Sequence, residues 1–169
     1  MQGTSFEFTI SHLPQAQAYA GAMLARAQDT QPLMVTIADL GEQSTKSRIE
    51  RTNLAPDGTK WKPSIRVKTS GGTTLFQYGN LANSFSHEGT ATQALWGTNL
   101  LQARILQFGG TILPKIKKAL RFRIGNRWLT VKKVTIPARA FIGASEQDRR
   151  DWTDAANAFF LPPAPRGAS

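Results

Sequence analysis

The chain has 169 residues, 40% of them apolar and 19% charged, with a formal net charge of +10 and no cysteine. That length and apolar content fit one domain with a real core and argue against wholesale disorder. Absent thiols exclude disulfides, thiolate metal sites and cysteine nucleophiles, and no run of about 18 apolar residues offers a membrane span.

"MQGTSFEFTISHL" lacks the basic-then-apolar order of a signal peptide, so a soluble protein made inside the cell is expected. Within it, Phe6, Phe8 and Ile10 alternate with polar residues, a period-2 pattern that predicts a half-buried strand. Ser11 suits a helix cap and Pro14 a first turn. Ala16, Ala20, Met23, Leu24 and Ala27 then form an apolar helical stripe. The helix breaks over Asp29–Pro32, and a second runs from Leu33 to about Arg51, with Met34, Ile37, Ala38, Thr45 and Ile49 on one side. Gly41 weakens it, since glycine costs a helix interior roughly 1 kcal/mol relative to alanine.

Pro56-Asp57-Gly58 predicts a tight turn, and Trp61 beyond it an aromatic lid on the core edge. "VKTSGGTTLFQYGN" reads as a surface connection ending in a second tight feature at Gly79-Asn80. A hairpin follows, with strands Ser84–His87 and Thr92–Trp96 and Glu88-Gly89 in its turn. "NLLQARILQF" has helical period and is closed by Gly109-Gly110. "ALRFRIGNRWLTVKK" predicts a second hairpin with Gly125-Asn126 in a type II′ turn. Its register pairs Ile124 with Arg127, Phe122 with Leu129 and Leu120 with Val131 on an apolar face. Arg121, Arg123, Trp128, Thr130 and Lys132 fall on the other. An extended stretch through Pro137 leads to a capping-box-like start at Ser145–Asp148 and a helix with Trp152, Ala155, Ala156 and Phe159 on one face. Pro162-Pro163 ends that helix.

The expected class is α+β: N-terminal helices, a small antiparallel sheet with a long basic β-hairpin, and a C-terminal helix. Residues 1–161 form one domain with the hairpin inserted at 111–135, and 162–169 form a disordered tail.

Charge is placed unevenly. Residues 1–88 hold eight basic and seven acidic side chains, 146–169 hold three and four, and 89–145 hold ten basic and none acidic. Lys115, Lys117, Lys118, Arg121, Arg123, Arg127, Lys132 and Lys133 fall within nineteen residues, interleaved with Phe122 and Trp128. Such a ribbon suits a polyanion, an acidic partner surface or a solvated face. Arg123 opposite Trp128 could also form a cation–π pair that only stabilises the hairpin. Catalysis finds little support. His12 and His87 are far apart with no metal-ligand spacing, and surface or capping roles suffice for them. Glu146, Asp148, Asp151 and Asp154 suit a helix dipole. No phosphate loop or nucleophile elbow occurs, so neither enzyme activity nor a cofactor is expected.

Four phrases in order carry a resemblance. "LAPDGTKWKPS" (54–64) resembles a Pro-Asp-Gly-x-x-Trp-x-Pro element, and "LFQYGNLANSF" (75–85) a Leu-x-Asp-Thr-Gly-x-Leu-x-x-Ser element. "WGTNLLQARILQFGG" (96–110) is similar to a Gly-Thr/Ser-Asn element ending in His-Gln-Phe-Gly-Gly. "IPARAFIGASEQD" (136–148) resembles Pro-Ala-Arg-Pro-Phe-Leu-Gly-x-Ser-x-x-Asp. Together they resemble the virion morphogenesis, or tail completion, proteins of Mu-like and related tailed phages. Gln77-Tyr78, Leu106 and Ala140 depart from the usual Asp-Thr, His and second Pro. The resemblance makes Asp57, Gly58, Trp61, Gly79, Leu81, Gln107, Phe108, Gly109, Gly110, Pro137, Arg139 and Phe141 motif or assembly candidates.

It implies a structural subunit of the virion, made in the host bacterial cytoplasm and placed at the head–tail junction or head-proximal tail end. There it would form a ring, expected to be a hexamer, touching neck, connector or tail-tube proteins and passing DNA but no membrane. The basic hairpin would then line the channel or meet an adjacent ring. The alternative is a nucleic-acid-binding module without sequence specificity, using residues 115–133.

Overall fold

The computed structural model describes residues 13–116, 118–124 and 127–161. The expected strand at 5–10, the Ser11 cap, His12, Lys117, the Gly125-Asn126 turn and the tail at 162–169 lie outside them.

Within this range the fold is α+β. Helix α1 spans Leu13–Gln28 and α2 spans Gln31–Ser47, the latter running on into one widened π turn, Arg48–Thr52. The break between the helices is shorter than Asp29–Pro32 suggests, because Pro32 sits in the first turn of α2, where its missing N–H costs nothing. Asn53, in the left-handed region at φ 55°, ends the π turn and donates its N–H to Arg48. In "VKTSGGTTLFQYGN" the connection is partly helical: α3 spans Ile65–Ser70, capped by the Ser64 hydroxyl on the Val67 N–H.

Strand β1 (Phe85–Gly89) pairs antiparallel with β2 (Ala94–Thr98). Its turn is Thr90–Gln93, closed by Thr90 N–H to Gln93 O at 2.8 Å, so Glu88-Gly89 belong to the strand and not the turn. Gly89 is there for closeness: a Cβ would come within 2.3 Å of the Val35 nitrogen of α2. After β2 come α4 (Leu101–Phe108) and β3 (Gly110–Ile112). Next are β4 (Leu120–Ile124), β5 (Arg127–Val131), β6 (Val134–Ile136) and α5 (Glu146–Phe160). The sheet is three separate two-stranded ladders, β1–β2, β3–β6 and β4–β5.

The core gathers where α2 ends. Ile49, Trp61, Leu81, Ala82, Phe85, Ala103 and Phe141 form one buried cluster, with the Phe85 and Phe141 rings edge to face at 6.0 Å. Alongside it α2 lies across β1–β2 and α5, burying Ala38 and Thr45 as its helical stripe predicts. Trp96 packs against Trp152 of α5 at 5.8 Å and donates its indole N–H to the Thr45 hydroxyl at 3.2 Å. Phe159 turns its ring onto Phe160, so both aromatic residues of the α5 face pack within the chain.

Gly41 has a packing reason that sequence alone does not reveal. A Cβ there would sit 2.7 Å from the Trp96 ring. Helix propensity predicts that Gly41→Ala gains about 1 kcal/mol. Overpacking predicts a loss of about 1–3 kcal/mol. Trp96 is held by both Trp152 and Thr45, so the loss is expected to win and lower the urea midpoint; a raised midpoint would show that the indole yields.

Candidate functional site

All four sequence phrases converge on one place. At the first, Asp57 accepts the Thr59 N–H at 2.9 Å, which holds its carboxyl below the usual value, and Gly58 takes φ 83° to close the turn. This sets Trp61 into the core with its indole N–H on Ala140 O at 3.0 Å. At the second, buried Gly79 at φ 79° turns the chain so that Leu81 enters the cluster. The third and fourth are stitched together by Gln107. Its amide oxygen accepts the N–H groups of Phe141 (2.9 Å) and Ile142 (3.1 Å), and its amide nitrogen donates to Ile142 O at 3.0 Å. Arg139 is buried, its backbone N–H on Leu106 O and its Nε on Lys62 O, both at 2.9 Å. At Gly109, φ is 72° and a Cβ would lie 2.7 Å from the Ala138 nitrogen, so only glycine lets the two segments touch.

Most motif candidates are therefore scaffold. Gly110 opens β3 and Pro137 follows β6, where the arm leaves the body. Phe108 differs: it is 73% exposed.

The arm rises from this stitched point. Its root is β3–β6, with Gly110 opposite Ile136, and its outer part is β4–β5. The observed register pairs Leu120 with Val131, Phe122 with Leu129 and Ile124 with Arg127, as the alternation predicts. Those side chains, Arg127 apart, are half-buried, whereas Arg121, Arg123, Trp128 and Thr130 are exposed on the other face. Lys115, Lys118, Arg127, Lys132 and Lys133 are exposed as well. The aromatic–cation contact is not the expected Arg123–Trp128 pair. Arg121 stands 4.8 Å above the Trp128 ring, a diagonal reach across the ladder that a long side chain makes easily. β4 and β5 pack chiefly on each other, so the arm projects rather than folding onto the body.

The carboxylates are elsewhere, and many are engaged. Lys46 and His87 both meet Glu42, at 2.5 and 2.6 Å, so His87, in the strand expected for it, is bonded to α2. Asp148 also has more than a dipole role. It is buried, takes the Ser44 hydroxyl at 2.5 Å and the Ser145 N–H at 2.6 Å, and pairs with Arg48. Arg48 in turn donates to Phe141 O at 3.1 Å and Gly143 O at 3.0 Å. Neither partner was signalled by local sequence, because 100 residues separate them. Among the described residues, no three His, Cys, Asp or Glu side chains are grouped to hold a metal, and no helix is long and apolar enough to cross a membrane.

Comparison with known proteins agrees with the resemblance that the four phrases carry. The phage virion morphogenesis family model matches residues 12–160. The Mu-like prophage FluMu G protein 2 of Haemophilus influenzae is 34% identical over 139 residues, which cover 80% of this chain and 84% of that protein. No solved structure matches.

Proposed function

The chain belongs to the phage virion morphogenesis family, and on that premise we propose that it is a non-catalytic ring subunit completing the tail at its head-proximal end or at the head–tail junction. Building the virion is the family's role; the ring and its place are our reading. The observation that carries it is the projecting arm, whose exposed cations share residues 89–145 with no carboxylate. A ring around the DNA path gives such an arm a permanent polyanion to face, and its cations would track phosphates without reading sequence. The arm could equally dock on a neck or tail-tube protein with an acidic rim, and neither use needs an ionisable group to do chemistry.

Negative-stain microscopy of the purified chain, alone and mixed with tail tubes, tests the reading. Rings, and tubes capped at one end, are expected; a chain that stays monomeric and leaves tubes open would sink it. A second reading, a free nucleic-acid-binding module, is favoured by Trp128, 59% exposed beside the cations and available for base stacking. The fourfold variant Lys118→Ala, Arg121→Ala, Arg127→Ala, Lys132→Ala separates the two. All four side chains are exposed, so apart from the Arg121–Trp128 contact within the arm its folding should match the wild type. If the isolated subunit binds duplex DNA, the log–log salt slope should flatten by about 0.9 for each phosphate that the variant no longer neutralises. If the module reading is wrong, the isolated wild type binds weakly and the variant fails only in assembly with DNA-filled heads.

A further inference from the structure

The outer ladder of the arm is open along both edges. β4 and β5 are five residues long each, and among the described residues neither has a strand partner beyond the other. They pack chiefly on each other, which leaves Leu120, Phe122, Leu129 and Val131 on an apolar face without a broad cover. A ribbon of two strands is marginal in water by itself, and further strands are one way to steady it.

Proteins commonly blunt a free strand edge with Pro, a bulge, a short strand or a charge. The root ladder is blunted in this way. β3 and β6 are three residues each, with Pro114 two positions beyond one and Pro137 directly after the other. β5 is not blunted. After Arg127 it reads Trp-Leu-Thr-Val, without charge, Pro, Gly or a break in register.

What fits that edge is β4 of a second copy. Within one chain the ladder sets Arg121 against Thr130 and Arg123 against Trp128 on one face, and apolar residues against apolar ones on the other. A second β4 brought to the open side of β5 repeats the match: arginine meets Trp or Thr, and Leu129 and Val131 meet the apolar residues of β4. A slip of one residue would put apolar side chains beside arginines, so the alternation selects the facing. Pairing β4 with β4 would instead oppose arginine to arginine, which is unfavourable.

We infer that β5 of one copy pairs with β4 of the next, joining the arms edge to edge. This rests on the ring reading and says how the arms are used within it. In a cycle every arm runs the same way, so the seam between copies is antiparallel, like the ladder inside each arm. The cations of all copies then share one face of a continuous sheet.

The chain has no cysteine, so introduced ones are unique labels. Thr130→Cys is refolded from urea together with an equal amount of Arg121→Cys or of Arg123→Cys, in the full chain, and mildly oxidised. Each chain then carries one thiol, so no link can form inside it. A disulfide needs Cα atoms within about 7 Å, which adjacent strands provide and strands two apart do not. At least one mixture should give a covalent dimer, and each variant alone should give none. Thr130→Lys, which sets lysine against arginine across the seam, should raise the half-assembly concentration at least about threefold in native mass spectrometry. Thr130→Val should leave it unchanged. A dimer from one variant alone means that like edges meet and overturns the inference. So does the absence of mixed dimers from an assembled protein, or Thr130→Lys assembling as the wild type does; in those cases the ring reading survives. A chain monomeric by native mass spectrometry, alone and with tail tubes, removes both.

Discussion

Arg48→Ala should cost about 3–5 kcal/mol of folding stability, read as a fall in the urea midpoint, because it leaves the Asp148 carboxylate buried without its cation. The same change removes the donors that hold Phe141 O and Gly143 O, so the segment carrying the fourth phrase loosens where it enters the core. Burial alone would raise the Asp148 pKa. The Ser44 hydroxyl, the Ser145 groups and the Arg48 charge outweigh it and hold the carboxyl below its ordinary value. The folded pKa is then the lower of the two. The carboxylate's contribution is complete above the unfolded value and is lost as pH falls through the folded one, a window below about pH 4. Asp148→Asn should therefore flatten the acid limb of the stability curve while leaving its alkaline side parallel to the wild type. An unchanged acid limb, or an Arg48→Ala cost under about 1 kcal/mol, would mean the pair is solvated and marginal.

Phe141→Ala should cost about 3–5 kcal/mol, the transfer term for an aromatic ring plus the cavity it leaves. The cavity will not collapse easily. Phe141 is fully buried against Phe85, and its backbone is pinned by Gln107 on one side and Arg48 on the other. The loss should extend beyond stability. The arm root, β6, is only five residues away from Phe141 along the chain, so hydrogen exchange at Gly110–Ile112 and Val134–Ile136 should speed up in this variant. Protection unchanged there would show that the arm folds independently of the stitched core.

Several features were readable from residue order alone. The β4–β5 register follows from the apolar–cationic alternation of β4 met by Leu129 and Val131 of β5, since a slip of one would send Phe122 and Leu129 to the wrong face. The Ser145–Asp148 capping box is a local motif with local geometry, and it forms as written. The Asp57-Gly58 turn is legible for the same reason. Spacing along the chain decides each of these. Charge placement is legible too: an interval of 57 residues with ten bases and no acid is a property of the sequence before any folding.

Other features depended on what meets what. Gly89 looks like a turn residue until α2 is seen pressing on its Cα. Gly41 looks like a helix defect until Trp96 covers it. The α1 stripe looks like a core face, yet Ala16, Ala20, Leu24 and Ala27 stay exposed and Met23 is only half-covered. Asp148 looks like a dipole complement until Arg48 arrives from 100 residues away. Periodicity reports that a face is apolar and spacing reports which residues share it. Which apolar faces the chain itself covers, and which it leaves exposed, is a matter of long-range packing, and only the tertiary structure decides it.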